Sequence, residues 1–537
     1  MLTRGEADRR GEGLLTRGQL GASIEKEAAL ADQPFPLPKT PMRPLLRTAG
    51  GLALLCLASC RPASPDRSAL PDIVLISIDT LRADHLGCYG YRRPTSPAID
   101  AFSRECVVFK NALAPAHYTA PAHMSIFTGL SPFIHRVDNI DPASKEISTL
   151  PPEIPSLVEV LSGLGYATVG MHGGANLDPE FGFGRGFHSY TDDFYDWEKK
   201  QRADPRHLKT VLKTIRRRII SSRREGKPLF LFLHHYLCHD PYLEGPQDLR
   251  GRFVERVPEG VPTLAEEISR VSDPADGDFY FWNRLTLSDP EELEYALALY
   301  DGGILYSDFL FRKFLDCLRD ERIYNDAIVI LLSDHGEEFY EHEGYTHENL
   351  FIENLHVPLL IKFPRGRGRG KVVDAPVRTM DTLPSVFDYI GLPVGHRIQG
   401  VSFLPLLSGE GSYRLPLVSF AFARPPHHQD SVRILDGDYV YSNFRWRGIP
   451  DWLFDARKDP REAENLAEGM PQLVKEFREK ARQIERENEA FRRLFVARPA
   501  AKRAASAKAL AGAPYSPEKP GIDPELWEQM KALGYVK

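Results

Sequence analysis

Three unbroken apolar runs in this chain each stop at residues that bind cations or move protons. Asp72-Ile-Val-Leu-Ile-Ser-Ile78 ends at Asp79. Pro228-Leu-Phe-Leu-Phe-Leu233 runs into His234-His235-Tyr236-Leu237-Cys238-His239-Asp240-Pro241. Ala327-Ile-Val-Ile-Leu-Leu332 ends at Ser333-Asp334-His335-Gly336-Glu337. Apolar, β-branched side chains at consecutive positions predict strands covered on both faces, as in a parallel sheet. Residues 167–170 and 357–363 predict further strands, and helical periods over 155–165 and 291–318 place helices between them. The alternation predicts an α/β fold: a three-layer sandwich around a large, mostly parallel sheet. Open α/β sheets build their sites at the carboxyl ends of the strands, so the acids and histidines that close these runs converge on one edge.

The rest of the text divides around that body. Residues 1–41 are polar, Arg-rich and Pro-rich without a period, so they are disordered or precede the true start at Met42. Residues 42–60 carry a basic segment, a short apolar segment and Leu57-Ala58-Ser59-Cys60. This is a secretory signal ending like a bacterial lipobox, with Cys60 as the acylated residue; an ordinary signal with a chance Cys is the alternative. Residues 61–71 form a polar tether. The catalytic body is expected over 72–410, with an irregular insertion or lid at 245–290. A carboxyl-terminal subdomain is expected over 411–498, combining a small antiparallel sheet (432–441 and 452–455) with a charged helix (471–497), before a loose tail at 499–537. After the leader, no segment is apolar for long enough to cross a bilayer. The address is therefore an exported, lipid-anchored protein of the cell envelope, facing the periplasm or the exterior.

Composition narrows the function. With 42% hydrophobic and 26% charged residues over 537 positions the body is globular, and a net charge of -6 gives no electrostatic basis for binding nucleic acid. The six cysteines form no C-x-x-C pair, and the four outside the leader read as free and buried. Asp79, Asp334 and His335 offer two carboxylates and an imidazole at strand ends. Carboxylate oxygens suit hard divalent cations, and the imidazole widens the choice toward zinc or manganese.

Between the first two strand ends lies Ala116-His117-Tyr118-Thr119-Ala120-Pro121-Ala122-His123-Met124-Ser125-Ile126-Phe127-Thr128-Gly129-Leu130-Ser131-Pro132. This stretch resembles the sulfatase signature, in which a nucleophile precedes x-Pro-x-Arg and a helix ending in Thr-Gly-x-x-Pro. The likeness continues in Ile-Asp-Thr-Leu-Arg-Ala-Asp-His-Leu-Gly-Cys-Tyr-Gly (78–90), His-Asp-Pro-Tyr (239–242), Tyr-Asp-Gly-Gly-Ile (300–304), Ser-Asp-His-Gly-Glu (333–337), Val-Pro-Leu (357–359), Gln-Gly-Val-Ser-Phe-Leu-Pro-Leu-Leu (399–407) and Phe-Asp-Ala-Arg-Lys-Asp-Pro-Arg-Glu-Ala-Glu-Asn-Leu (454–466). Ordered motifs over about residues 72–470 identify the chain as a member of the sulfatase family, in the alkaline phosphatase superfamily. The resemblance implies an alkaline-phosphatase-like fold and one divalent ion, calcium by family, with zinc or manganese as alternatives. It implies Asp79, Asp334 and His335 as metal ligands and Thr119 as nucleophile and further ligand. His239 is implied to protonate the leaving group or hold the anion, and His172 and His347 to contact substrate.

The departures are chemical. The usual sulfatase nucleophile is a formylglycine made from Cys or Ser, and Thr119 cannot become that aldehyde, so formylglycine is not expected. A threonine hydroxyl can attack phosphorus directly. His123 replaces the signature arginine as a weaker, titratable anion clamp. Thr80 replaces a common second acidic ligand, Gly170 replaces a lysine, and Asp84 reads as a surface residue. Thr119 before Ala-Pro-Ala is also good N-cap chemistry. His234 and His235 read as satisfied core histidines, and Arg365-Gly-Arg-Gly-Arg-Gly-Lys371 as a solvated turn, with contact to anionic glycans or lipid as the alternative. Three functions follow: a metal-dependent hydrolase of an extracytoplasmic sulfuric or phosphoric ester; a phosphodiesterase or phosphoethanolamine-type transferase using Thr119; or an inactive, anion-binding lipoprotein. Retention of Asp79, Thr119, His239, Asp334 and His335 together argues against the last.

Overall fold

The strand that ends in Asp79, β1 (Ile73–Ile78), is buried at every position and lies at the centre of a nine-stranded sheet. In chain order the main elements are β1, α1 (Pro97–Ser103), β2 (Val107–Leu113), α2 (Thr119–Thr128), α3 (Leu157–Gly163), β3 (Ala167–Met171), β4 (Ser189–Thr191), α4 (Pro205–Arg224), β5 (Leu229–His235), α5 (Pro290–Asp320), β6 (Ile328–Leu332), β7 (His356–Lys362), β8 (Val372–Val373), β9 (Val377–Arg378), α6 (Thr382–Tyr389), β10 (Leu417–Ala421), β11 (Ser431–Asp436), β12 (Tyr439–Ser442), β13 (Trp452–Asp455) and α7 (Pro471–Val496). The structure is a computed structural model and describes residues 70–139, 147–192, 195–196, 201–202, 205–271, 285–286, 288–409, 416–422, 430–443 and 451–496. The leader, Cys60, the tether up to residue 69 and the tail from 499 lie outside them.

The sheet order is β8-β2-β7-β6-β1-β5-β3-β4, with β9 also on β2. Only β7 runs antiparallel, against both β2 and β6. Alternation along β1 assigns the two faces. Val74, Ile76 and Ile78 pack with α1, α4 and α5, while Ile73 and Leu75 pack with α2, α3 and α6. These are the three expected layers. β10 to β13 form the antiparallel sheet, whose Val432, Ile434, Tyr441 and Leu453 pack with Val474, Phe477 and Ala481 of α7.

Local chemistry explains the boundaries. Ser156 caps α3 and Glu159 returns the capping box. Gly129 ends α2 in the left-handed region at φ 66°. The segment expected as a lid is in part an anchor. Arg250 is buried and donates to the carbonyls of Leu237, Glu244 and Leu299. A Cβ on Gly302 would lie 1.9 Å from Arg250 O, so the two glycines of Tyr300-Asp301-Gly302-Gly303 are what let this segment seat against α5. Residues 272–284 of the same stretch lie outside the description. Cys88, Cys106, Cys238 and Cys317 are free, and all but the half-buried Cys88 are buried as read. Among the described residues no helix is long and apolar enough to cross a membrane.

Candidate active site

Register brings the three strand ends together. Ser77 of β1 pairs with His234 of β5 and with Leu332 of β6, so Asp79 and Asp334 emerge side by side two residues further on, and His234 lies 3.2 Å from Asp79 Oδ2. The turn after Asp79 is pinned from α5: Tyr300 Oη accepts from Arg82 N at 2.9 Å and donates to Thr80 O at 2.7 Å. Thr80 sits there at φ 54°, a costly conformation for a β-branched residue that these bonds sustain. Leu81 N donates to Ser333 Oγ, which ties the ends of β1 and β6.

Thr119 is the first residue of α2, and Tyr118 occupies the cap position. The N-cap expectation is therefore corrected: the hydroxyl turns into the site instead. Thr119 Oγ1 lies 3.3 Å from Asp79 Oδ2 and 3.4 Å from His335 Nε2. Asn139 Oδ1 accepts from Ala120 N at 3.0 Å and closes the helix end beside it. His335 Nδ1 donates to Gly336 O at 2.9 Å, which leaves its Nε2 lone pair facing the site, 3.5 Å from Asp334 Oδ2.

His123, expected as an anion clamp, makes hydrogen-bond and ion-pair contacts within the protein. One turn after Thr119, its Nδ1 donates to Thr119 O at 3.0 Å and lies 3.3 Å from Asp334 Oδ2, while Nε2 accepts from Ser77 Oγ at 2.9 Å. Both nitrogens are thus engaged inside the protein. The ring braces Asp334 against the helix.

Burial and charge set the protonation states. Burial raises the Asp334 carboxyl, but the His335 and His123 imidazoles outweigh it and hold that group well below the usual carboxylate range. Burial pushes His335 down to about 4 and, aided by His123, pushes His234 well below its ordinary value. Neutral imidazoles beside an ionised carboxylate are the protonation states that metal binding needs.

Donor atoms of Asp79, Asp334 and His335, all fully buried, lie within 4.8 Å of one another. Ligands about 2.0–2.2 Å from one cation stand roughly 3.3–3.6 Å apart around a tetrahedron, and separations of 3.3, 3.4 and 3.5 Å among Thr119, Asp79, His335 and Asp334 fall there, with His335 Nε2 4.0 Å from Asp79 Oδ1. The residues present fit a divalent cation. His234, read from the sequence as a core histidine, belongs to this centre too: with His123 and Asp334 it forms a second, overlapping donor group. Strand alternation was the signal that separates it from His235.

The remaining expected residues surround this core unequally. His347 Nδ1 lies 2.8 Å from Glu337 Oε1, and its ring is 4.5 Å from that of His335 and 5.1 Å from that of His239. His239 Nδ1 donates to Asp240 O at 2.7 Å. His172 lies just after β3, where it accepts from Gly174 N and stacks on Tyr190. Asp84 is 56% exposed and pairs with Arg82, as a surface residue would.

This fold and site define a hydrolase of the alkaline-phosphatase type, and the sequence comparisons place it: the chain belongs to the sulfatase family. Residues 71–392 match the sulfatase family model, and 340–487 match the model described as N-sulphoglucosamine sulphohydrolase, C-terminal. It is similar to the multifunctional alkaline phosphatase superfamily protein PehA of Trinickia caryophylli, 24% identical over 76% of this chain and 94% of that protein. It is also similar to the N-acetylglucosamine-6-O-sulfatase of Bacteroides thetaiotaomicron, 24% identical over 77% of this chain and 86% of that protein. Its fold matches the phosphonate monoester hydrolase of Agrobacterium radiobacter, with a TM-score of 0.61, 20% identity, and 78% of this chain and 96% of that one covered. A structure solved in complex with its substrate D-glucosamine-2-N,6-O-disulfate matches with a TM-score of 0.63, 18% identity, and 78% and 99% covered. The protein is a sulfatase-family hydrolase.

Proposed function

We propose that the protein is a metal-dependent hydrolase of an anionic ester outside the cytoplasm, with Thr119 as its nucleophile and a phosphoric or phosphonic ester favoured over a sulfuric one. The observation that carries this is Thr119 Oγ1 at 3.3 Å from Asp79 Oδ2 and 3.4 Å from His335 Nε2, at the first residue of a buried helix. Asp79, Asp334, His335 and Thr119 would hold the cation, with His234 beside them. When bound, it favours the deprotonated hydroxyl and neutralises the anionic ester. Asp79 orients the hydroxyl. The hydroxyl proton passes to solvent, the Thr119 oxygen attacks the central atom of the ester, the bond to the leaving oxygen breaks, and a protonated His239 would donate its proton to that oxygen. Water then attacks the same central atom and gives a proton to His239, and the bond to Thr119 Oγ1 breaks as that oxygen takes a proton from solvent. His347, held by Glu337, and His172 would contact the rest of the anion.

Threonine decides the preference. A sulfated or phosphorylated threonine lacks the geminal hydroxyl by which a formylglycine ester collapses, so release requires attack at sulfur or phosphorus. Phosphoryl-threonine release of this kind is ordinary covalent catalysis. Similarity to PehA and to a phosphonate monoester hydrolase supports the reading, and similarity to sulfatases keeps sulfuric esters in the test. The leader supports export with a lipid anchor at Cys60.

Residues 61–537 and a Thr119→Ala variant, assayed on aryl sulfate, phosphate monoester, phosphodiester and phosphonate monoester with Ca²⁺, Mn²⁺ or Zn²⁺, test it. The reading expects metal-stimulated turnover of phosphoric or phosphonic esters that the variant loses. Turnover of aryl sulfate alone would remove the phosphoryl preference.

A further inference from the structure

The edge of the sheet opposite the site gathers cations from three separate segments. β7 runs antiparallel to β6, so the loop that follows it returns to the edge where β1, β5 and β6 begin. That loop is the Arg365–Lys371 turn, with Arg365, Arg367 and Arg369 exposed. Arg365 N donates to Asn325 O in the turn between α5 and β6. The same turn carries exposed Arg322, whose carbonyl accepts from Arg223 at the end of α4. Arg223 and Arg224 close a helix that contains no acid over its 20 residues. The three segments are thus contiguous. The acids nearby are largely committed: Asp320 and Glu321 to Arg216, Asp326 to Arg365, and Glu225 to Lys227. Cations remain in excess on an edge of a chain whose net charge is -6, so the charge is sorted by position.

The described chain also starts at this edge. Asp72 O accepts from Ile328 N, Asp72 Oδ1 accepts from Leu229 N, and Pro71 O accepts from Tyr166 Oη. Nine residues separate Leu70 from Cys60, a reach of about 33–36 Å when fully extended. We propose that this basic edge docks on the anionic headgroups of a lipid bilayer and presents the site on the far side, about 20 Å away across β1. The surface stands on the described residues. The choice of lipid over an anionic polysaccharide rests on the reading of Cys60 as the anchor.

The test uses residues 61–537, without an acyl chain, sedimented with vesicles of phosphatidylcholine alone or mixed with phosphatidylglycerol. Binding is expected only to the mixed vesicles, with release in about 0.5 M salt, where screening is short-ranged. Each cation near an anionic surface contributes about five-fold, so losing three costs about 100-fold, and the charge-reversing triple variant Arg365→Glu/Arg367→Glu/Arg369→Glu should bind more weakly than the wild type by at least that factor. Arg224→Glu, on a different segment, should weaken binding independently, and both variants should keep wild-type turnover of a soluble ester. Equal binding to both vesicles, no binding to either, or capture by dextran sulfate without vesicle binding would each overturn the proposal. A chain found not to be acylated at Cys60 that still binds the mixed vesicles would leave the surface standing and remove only the anchor.

Discussion

His234 Nε2 lies 3.2 Å from Asp79 Oδ2, with both side chains fully buried. The contact is to the same oxygen that faces Thr119 Oγ1. His234 therefore orients the carboxylate that the proposed cation and the proposed nucleophile would share, and its loss should be felt in metal retention. Loss of an outer partner of a ligand costs about 10–100-fold in metal affinity. His234→Gln keeps a hydrogen-bond donor and should still weaken retention within or beyond that range, read as metal content after dialysis against graded chelator. Wild-type retention would return His234 to the core role first read for it.

Three buried histidines make the fold acid-sensitive. His135 accepts from Val137 N at Nδ1 and faces Ser125 Oγ through Nε2. A proton on Nδ1 would set one N–H against another. Burial pushes this ring down to about 3, and does the same for His172 and His235. A group depressed on folding contributes stability that is complete above its unfolded value near 6.5 and is lost as pH falls toward 3. Each such ring steepens the loss by up to about 1.4 kcal/mol per pH unit. Urea midpoints between pH 6.5 and 4 should fall steeply in the wild type, and with a shallower slope in His135→Gln. Parallel slopes would contradict the assignment.

Gly302→Ala tests the anchor. The new Cβ would meet Arg250 backbone at 1.9 Å, and forced overpacking costs about 1–3 kcal/mol. A thermal melt should shift down by several degrees. An unshifted melt would mean that the Gln247–Arg250 turn is not seated against α5 as described.

Much of this was legible because burial on both faces leaves an unmistakable mark. β1, β5 and β6 are apolar at consecutive positions, and Asp79, Asp334 and His335 follow directly from where those runs stop. β2 was harder, since half-buried Lys110 and exposed Asn111 interrupt the apolar run begun by Val107-Val108-Phe109. α4 carries Leu208, Val211, Ile215 and Ile219 at helical spacing, a period hidden in a run of arginines. Two histidines in sequence cannot be told apart without register: the pairing of Ser77 with His234 sends one into the centre. His123 occupies an arginine position of the signature, yet its hydrogen bonds to Ser77 and Thr119 are long-range and local facts that no motif carries.

The most direct test of the central claim is covalent. Wild-type protein mixed with a phosphate or phosphonate ester and quenched in acid during turnover should carry the transferred group on the peptide containing Thr119, mapped by tandem mass spectrometry, and Thr119→Ala should carry none. Turnover in Thr119→Ala at the wild-type rate, or a label on any other residue, would contradict Thr119 as the nucleophile.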